Sequence, residues 1–398
     1  MKGVAAALIA LTLAAWAYWI IAAILVRRFF QTPFETRAEW PPVSLLKPVK
    51  GLDPEMFENF ASFCRQDYPE MELVFGVDDP FDPAVAEIAR LKRAFPHVSM
   101  RLVVARTRGT NRKAALLHEL AQAARHEVLV ASDSDMRVTP DYLRRVVAPL
   151  SDPDTGLVTC PYRGAAAASL FARLEALHMG VVFLPAVVVA RHVLRMRFAM
   201  GATVALRRRD LEAIGGFRAV SEHLADDYQL GSRLAALGRK VELSRYVVQS
   251  VLGSTSARQG LSRELRWARC TRVSQAGGYL GYGLTFPTPL ALLCLVALGG
   301  SAFGWALLTG SLALRWMVAS AIAKSTNDTT SLEALLLLPL RDLQTAAVWV
   351  AGAFGRRVTW RDETYPLTAD GRLRRASPTR ARLPVRIAQL RASRGVPR

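Results

Sequence analysis

Apolar residues fall into two patterns along this chain: long unbroken runs near both ends, and short strand-length runs spaced by helical periodicity between them. Val4 to Val26 reads VAAALIALTLAAWAYWIIAAILV without a charge, and about 20 apolar residues suffice to cross hydrocarbon. A cleaved signal peptide would have an apolar region of only about 7–15 residues followed by a small-residue cleavage site, and no such site follows here. Arg27, Arg28 and Arg37 come after the run and only Lys2 before it. The bias of basic residues toward the cytoplasm therefore predicts an anchor over 1–30 with a cytoplasmic domain after it.

A second apolar block, Pro287 to Ala323, is too long for one helix and is interrupted by Gly299, Gly300 and Gly310. It predicts two short, tightly turned helices, with Arg315 facing protein or snorkelling. A third segment, Leu332 to Phe354, carries Arg341 and Asp342 near its middle. Spanning would bury both charges, so the segment reads as interfacial or re-entrant, leaving the basic tail up to Arg398 in the cytoplasm. The stretch from Phe171 to Leu194 is short and contains Pro185, and reads as lying against the membrane rather than across it.

Between Pro41 and Gly253 the pattern changes to alternating strands and helices. Val43–Leu46, Leu73–Val77, Met100–Val104 and Val128–Ala131 read as strands, with helical patterns around Glu55–Cys64, Ala84–Phe95 and Lys113–Ala124. Such alternation predicts an α/β fold with a parallel sheet covered on both faces, and ligands in these folds bind beyond the carboxyl ends of the strands. The resulting organisation is an anchor at 1–30, a cytoplasmic α/β domain at 41–275, membrane or interfacial helices at 284–356 and a basic tail at 357–398.

Charge and cysteine content narrow the function classes. The 398 residues carry 52 Lys and Arg against 33 Asp and Glu, a formal net charge of +19, which calls for a polyanionic partner or a solvated basic tail. The charge gathers near the apolar segments rather than interleaving with aromatic residues, which argues against nucleic acid and for a membrane surface. Cys64, Cys160, Cys270 and Cys294 form no paired motif, so neither a zinc site nor a disulfide framework is expected.

Acidic residues at strand ends are the candidates for chemistry. Asp78 and Asp79 follow one strand; Asp133 and Asp135, separated by Ser134, follow another. Carboxylates one residue apart can share a divalent cation that also takes diphosphate oxygens. An isolated Asp-x-Asp is most often a turn or cap, and it gains meaning here from its place after a buried strand. Asp226 and Asp227 open a helical pattern, where Asp226 fits a cap and Asp227 a general base. Arg263 and Arg266 lie one helical turn apart, so both can face one anionic group, and Trp267 offers a flat ring. Gly109-Thr110-Asn111-Arg112-Lys113 leads into a helix, an arrangement suited to phosphate as well as to a plain cap.

The order of these motifs resembles the ceramide glucosyltransferases, glycosyltransferase family 21. The carrying residues are VSLLKPVKG from Val43, DYP from Asp67, Gly109 to Lys113, DSDMRV from Asp133, GLVTCPYRG from Gly156, GATVALRR from Gly201, ADDY from Ala225 and RELRW from Arg263. ARHEVLVASDSDMRV, HLADDYQLG and LPLRDL further resemble the bacterial branch associated with hopanoid biosynthesis. The resemblance implies a GT-A type, Rossmann-like nucleotide-sugar domain in an integral protein of the bacterial inner membrane. It implies that Asp79 contacts the nucleotide, that Asp133 and Asp135 hold Mg²⁺ or Mn²⁺ and the donor, that Asp227 is the base, and that Arg266 and Trp267 sit where donor meets acceptor. Lys113 and Arg263 join the substrate-binding set. Animal members carry a glycine at the position of Asp135, so the metal motif here is the fuller one. The implied reaction is inverting transfer from a UDP-sugar to a lipid hydroxyl: N-acetylglucosamine to bacteriohopanetetrol in the hopanoid branch, or glucose to ceramide. A processive polysaccharide synthase would share the acids and the Arg-Trp pair but needs a longer channel of spanning helices. A catalytically silent membrane scaffold would have no use for the complete set of acids.

Overall fold

A computed structural model describes residues 2–33, 40–107, 109–194, 196–360 and 363–374. Arg37 and the tail from 375 to 398 lie outside the described residues, and so do the expectations that rest on them. The strands expected from sequence form at β1 (Val43–Pro48), β2 (Met71–Val77), β3 (Ser99–Val104) and β4 (Val128–Ser132). The intervening helices are Met56–Cys64, Ala84–Ala94 and Arg112–Ala123.

Further along the chain come β5 (Met136–Arg137), β6 (Thr155–Thr159), β7 (Tyr162–Ala167), β8 (Thr203–Arg207), β9 (Lys240–Leu243) and β10 (Val248–Gly253). The main sheet has seven strands in the order β3-β2-β1-β4-β8-β6-β9. It is not wholly parallel: β8 runs antiparallel between β4 and β6. The parallel expectation came from the first four strands, which do pair in parallel. A second sheet, β5-β10-β7, packs beside the first.

Alternate residues of each central strand feed different cores. Val43 and Leu45 join Phe60, Phe63 and Tyr142 on one face. Leu46 joins Leu117 and Leu120 on the other face, in a cluster that continues into Trp19, Val26, Val181 and Ile322 of the apolar helices. Period-two burial on a sheet covered on both sides explains why β1 and β4 are buried throughout.

Among the described residues, three helices are long and apolar enough to cross a membrane: Lys2–Gln31, Leu170–Val193 and Ala302–Ser325. The second of these corrects the expectation of a short segment. It runs unbroken for 24 residues, through a π-helical turn at Met179–Phe183 that ends two residues before Pro185. A widened turn makes room for a proline ring that would clash in a regular one. In the C-terminal block the chain turns at Gly299 and Gly300, both at positive φ (61° and 74°), as expected. Gly310 does not break the next helix, which is therefore not short. Its missing side chain lets Trp16 pack close.

Residues 357–374 also depart from the expectation of a basic tail. β11 (Arg357–Trp360) and β12 (Glu363–Pro366) form an antiparallel hairpin. Val358, Tyr365, Leu367 and Leu373 bury against Leu224. Four-residue strands with polar edges carry too little apolar periodicity to be read from sequence.

The helix Asp226–Ala236 is pressed close to the chain at Phe198–Ala199. A Cβ at Gly231 would stand 2.6 Å from the Ala199 nitrogen and the Phe198 backbone. Gly231→Ala should therefore cost about 1–3 kcal/mol through overpacking. Gly277→Ala, where nothing lies within 4 Å, should cost nothing. Thermal unfolding of the two variants compares them, and equal midpoints would contradict the packing described.

Candidate active site

The carboxyl ends of β1, β2 and β4 open toward one cluster of charged side chains. Lys47, near the end of β1, is fully buried. Its Nζ donates to the Asp133 carbonyl at 2.8 Å and the Ser132 hydroxyl at 3.1 Å, and lies 3.3 Å from the centre of the Phe63 ring. Burial draws its pKa well below the ordinary lysine value, against the pull of Asp133, Asp135 and Asp53. Sequence reasoning did not single out Lys47, although it stands inside the VSLLKPVKG motif.

Asp133 and Asp135 follow β4. Asp133 forms an ion pair with Lys113 at 2.5 Å. Asp135 accepts a hydrogen bond from the Ser250 hydroxyl at 3.0 Å. Burial lifts the Asp135 carboxyl to about 6, with Asp133 and Asp53 adding repulsion. Asp53 itself accepts a short hydrogen bond from Ser134 between the two. Three carboxylates thus crowd one strand end.

The helix Arg112–Ala123 supplies the counter-charge. Asn111 caps it: its side-chain oxygen accepts from Ala114 N–H at 3.0 Å, and its amide donates to the His223 carbonyl at 2.8 Å and to Asp226 at 3.1 Å. This cap occupies the helix N-terminus and points Lys113 inward. Burial would lower the Lys113 pKa, but Asp133, Asp226 and Asp227 outweigh it and hold the ammonium above its ordinary value. Lys113 is thereby committed to carboxylates.

Asp226 and Asp227 begin the helix Asp226–Ala236. The residue at the cap position is Ala225, so Asp226 is not the cap expected from sequence; its carboxylate serves Asn111 instead. Asp227 accepts from its neighbour's N–H at 2.8 Å. Burial and the charge of Asp226 lift the Asp227 carboxyl to about 6. Gly201 marks the point where these groups converge. A Cβ there would lie 3.0 Å from Lys113 Nζ, 3.3 Å from Asp227 Oδ2 and 3.8 Å from Asp133 Oδ2.

The other expected residues stand at the edges. Asp79 is exposed and accepts from Phe81 N–H at 2.9 Å. Its neighbour Asp78 is the more engaged, accepting from Thr107 N–H and hydroxyl at 2.7 and 2.8 Å and from Arg112 at 3.3 Å. The helix Ala257–Ser274 opens with a capping box of Ser256 and Gln259 and carries the Arg-Trp pair. Glu175, fully buried in the neighbouring helix, takes Arg263 at 3.0 Å, while Arg266 lies 5.4 Å from the Trp360 ring. Trp267 stacks on His178, with ring centres 6.2 Å apart and planes 12° from parallel.

This arrangement, with acids and lysines at the carboxyl ends of a sheet beside apolar helices, is that of a GT-A type nucleotide-sugar fold. The chain belongs to glycosyl transferase family 21, whose model matches residues 5–373. It is 26% identical over 231 residues to ceramide glucosyltransferase 3 of Caenorhabditis elegans, covering 58% of this chain and 50% of that one. It is 32% identical over 114 residues to the ceramide glucosyltransferase of Komagataella phaffii, covering 27% and 22%. The chain thus spans about half the length of the nematode relatives it matches. Among solved structures, the mannosyltransferase PcManGT from Pyrobaculum calidifontis, in complex with GDP-Man and Mn²⁺, shares the fold. The TM-score is 0.54 and the identity 21%, over 85% of this chain and 98% of that one.

Removal of the Lys113 charge tests the balance directly. Without it, Asp226 and Asp227 rise further above their unfolded pKa values, so their charged forms weigh against the fold. Lys113→Met should therefore lose stability increasingly as pH rises through about 6, and lose least below it. A melting deficit independent of pH would contradict this role.

Proposed function

We propose that the chain is an inverting glycosyltransferase that moves a sugar from a UDP-sugar onto a lipid hydroxyl at the cytoplasmic face of a membrane. The observation that carries the reading is the convergence of Asp133, Lys113 and Asp227 around Gly201. A group that binds a charged leaving diphosphate and a group that accepts a proton must stand this close to serve one reaction centre.

Asp133 and Asp135 fit a divalent ion. They are hard oxygen donors, and the raised Asp135 carboxyl reflects a concentration of negative charge that such an ion would relieve. Among the described residues no set of three or more His, Cys, Asp or Glu closes on one point. Mg²⁺ takes one or two carboxylates and completes its shell with phosphate oxygens and water. When bound, the ion would neutralise charge on the departing diphosphate. The Mn²⁺ in the PcManGT complex supports the assignment.

The remaining steps belong to side chains. Lys113 holds negative charge beside Asp133. Asp79, exposed at the mouth beyond β2, meets the nucleotide. Asp227 takes the proton from the acceptor hydroxyl as that oxygen attacks the anomeric carbon, and the UDP oxygen leaves from the opposite side. Arg266 and Trp267 border the junction, and Arg263 braces their helix through Glu175. An α-linked donor then gives a β-linked product.

The lipid acceptor rests on three helices long and apolar enough to span and on relatives named ceramide glucosyltransferase. Those relatives support glucose transfer to ceramide. N-acetylglucosamine transfer to a hopanoid polyol rests on the motif resemblance. The basic residues after Val26 support an integral bacterial inner-membrane protein with this domain in the cytoplasm.

The enzyme should be incubated with UDP-glucose or UDP-N-acetylglucosamine together with ceramide or bacteriohopanetetrol, and the lipids read by mass spectrometry. One hexose or N-acetylhexosamine added per lipid is the expected result; a polymer, or no lipid product with any pair, would contradict the reading. Asp227→Asn should lower transfer about 10²–10⁴-fold while UDP-sugar binding persists. Because the base works only when charged, the wild-type rate should rise with pH through about 6. A rate flat across that range, or an active Asp227→Asn enzyme, would assign the base elsewhere.

A further inference from the structure

Arg341 and Asp342 are adjacent on the helix Leu338–Gly352, and both are buried. Neighbours on a helix point about 100° apart, and these two serve different partners. Arg341 faces the helix Ala257–Ser274 and grips Glu264 with two hydrogen bonds, at 2.6 and 2.9 Å. Gln344 adds a third to the same carboxylate at 3.2 Å, and Thr345 steadies the guanidinium at 3.0 Å. Asp342 faces the apolar bundle. It accepts from Arg315 at 2.9 and 3.1 Å and from the Thr288 hydroxyl at 2.8 Å. Arg315 in turn lies 3.9 Å from the Trp19 ring, and Trp19 donates to the Thr285 carbonyl at 2.8 Å.

The chain of contacts runs from the N-terminal helix, through the helices Pro287–Ala297 and Ala302–Ser325, to Glu264. That residue stands two positions before Arg266 and three before Trp267. A bidentate guanidinium–carboxylate pair fixes distance and orientation together. Buried charges also tolerate displacement poorly, because a broken pair leaves an unscreened charge. Ordinary hydrophobic packing between these helices would not set the rotation of Ala257–Ser274 so sharply.

We infer that Arg341 and Asp342 are positioning residues, which fix the Arg266–Trp267 face against the reaction centre by clamping Glu264 to the membrane bundle. The inference rests on the transferase reading above. It adds that transfer depends on the register between the bundle and that helix.

The test uses the full chain in nanodiscs, with the donor and lipid pair that the wild type accepts. Glu264→Gln/Arg341→Met removes both charges at once, so no charge is left buried alone. Its kcat per folded enzyme should fall about 10²-fold, the scale of a displacement of about 1 Å at a reacting group. Its donor KM should stay within about twofold, because the donor end of the site is untouched. Arg315→Met/Asp342→Asn, which keeps the Glu264–Arg341 pair but removes its tie to the bundle without leaving Arg315 buried alone, should lower kcat in the same direction, and it decides the matter if the first double variant does not fold. Wild-type kcat per folded enzyme in either folded variant would overturn the clamp while leaving the transferase reading intact. A wild type that glycosylates no lipid would overturn the transferase reading itself.

Discussion

The site is governed by a shortage of positive charge. Asp133, Asp226 and Asp227 all lean on Lys113, while Asp135 and Asp53 crowd the same strand end with Ser134 and Ser250 as hydrogen-bond donors. Carboxylates this close and this buried cannot all be stabilised by one ammonium, and two of them shift to about 6 as a result. The geometry around them follows from that need. Asn111 caps its helix so that Lys113 points inward, Gly201 leaves room for the ammonium, and Gly231 lets the helix bearing Asp227 approach. The imbalance suits the proposed reaction, in which a divalent ion would complete the charge and Asp227 would take a proton near neutrality.

The apolar helices are part of the same body rather than an appended anchor. Their side chains share a core with one face of the main sheet. Two buried ion pairs, Arg341–Glu264 and Arg315–Asp342, join them to the helix carrying Arg266 and Trp267. Under the proposed function, a lipid acceptor would reach a site braced on one side by the apolar helices and on the other by the sheet.

Much of this was legible in the sequence because strong local patterns agreed with the tertiary outcome. The four parallel strands appear as short apolar runs, two of them, β2 and β4, followed by aspartates, and the anchor appears as an uncharged run. Departures occur where tertiary contacts override local pattern. β8 inserts antiparallel because pairing partners leave no trace in periodicity. The stretch around Pro185 reads as a short segment against the membrane, yet a π turn carries the helix through the proline for 24 residues. Arg263 and Arg266 share a helical face in sequence, but Glu175 from another helix claims one of them. Asp226 looks like a cap because acids favour helix starts, whereas its partner Asn111 is 115 positions distant. Lys47 escaped notice because a lysine inside a fully buried strand carries no signal until the carboxylates around it are placed. Arg341 and Asp342 looked costly in an apolar run, and each proves to be paired.

The proposed chemistry requires that the acidic cluster admit a diphosphate only together with a divalent cation. Calorimetric titration of UDP into the purified protein, with excess EDTA and then with Mn²⁺, measures this directly. The account predicts tight binding with the ion and little without it, because the diphosphate would otherwise meet Asp133 and Asp135 as like charges. Equal UDP affinity under both conditions would contradict it.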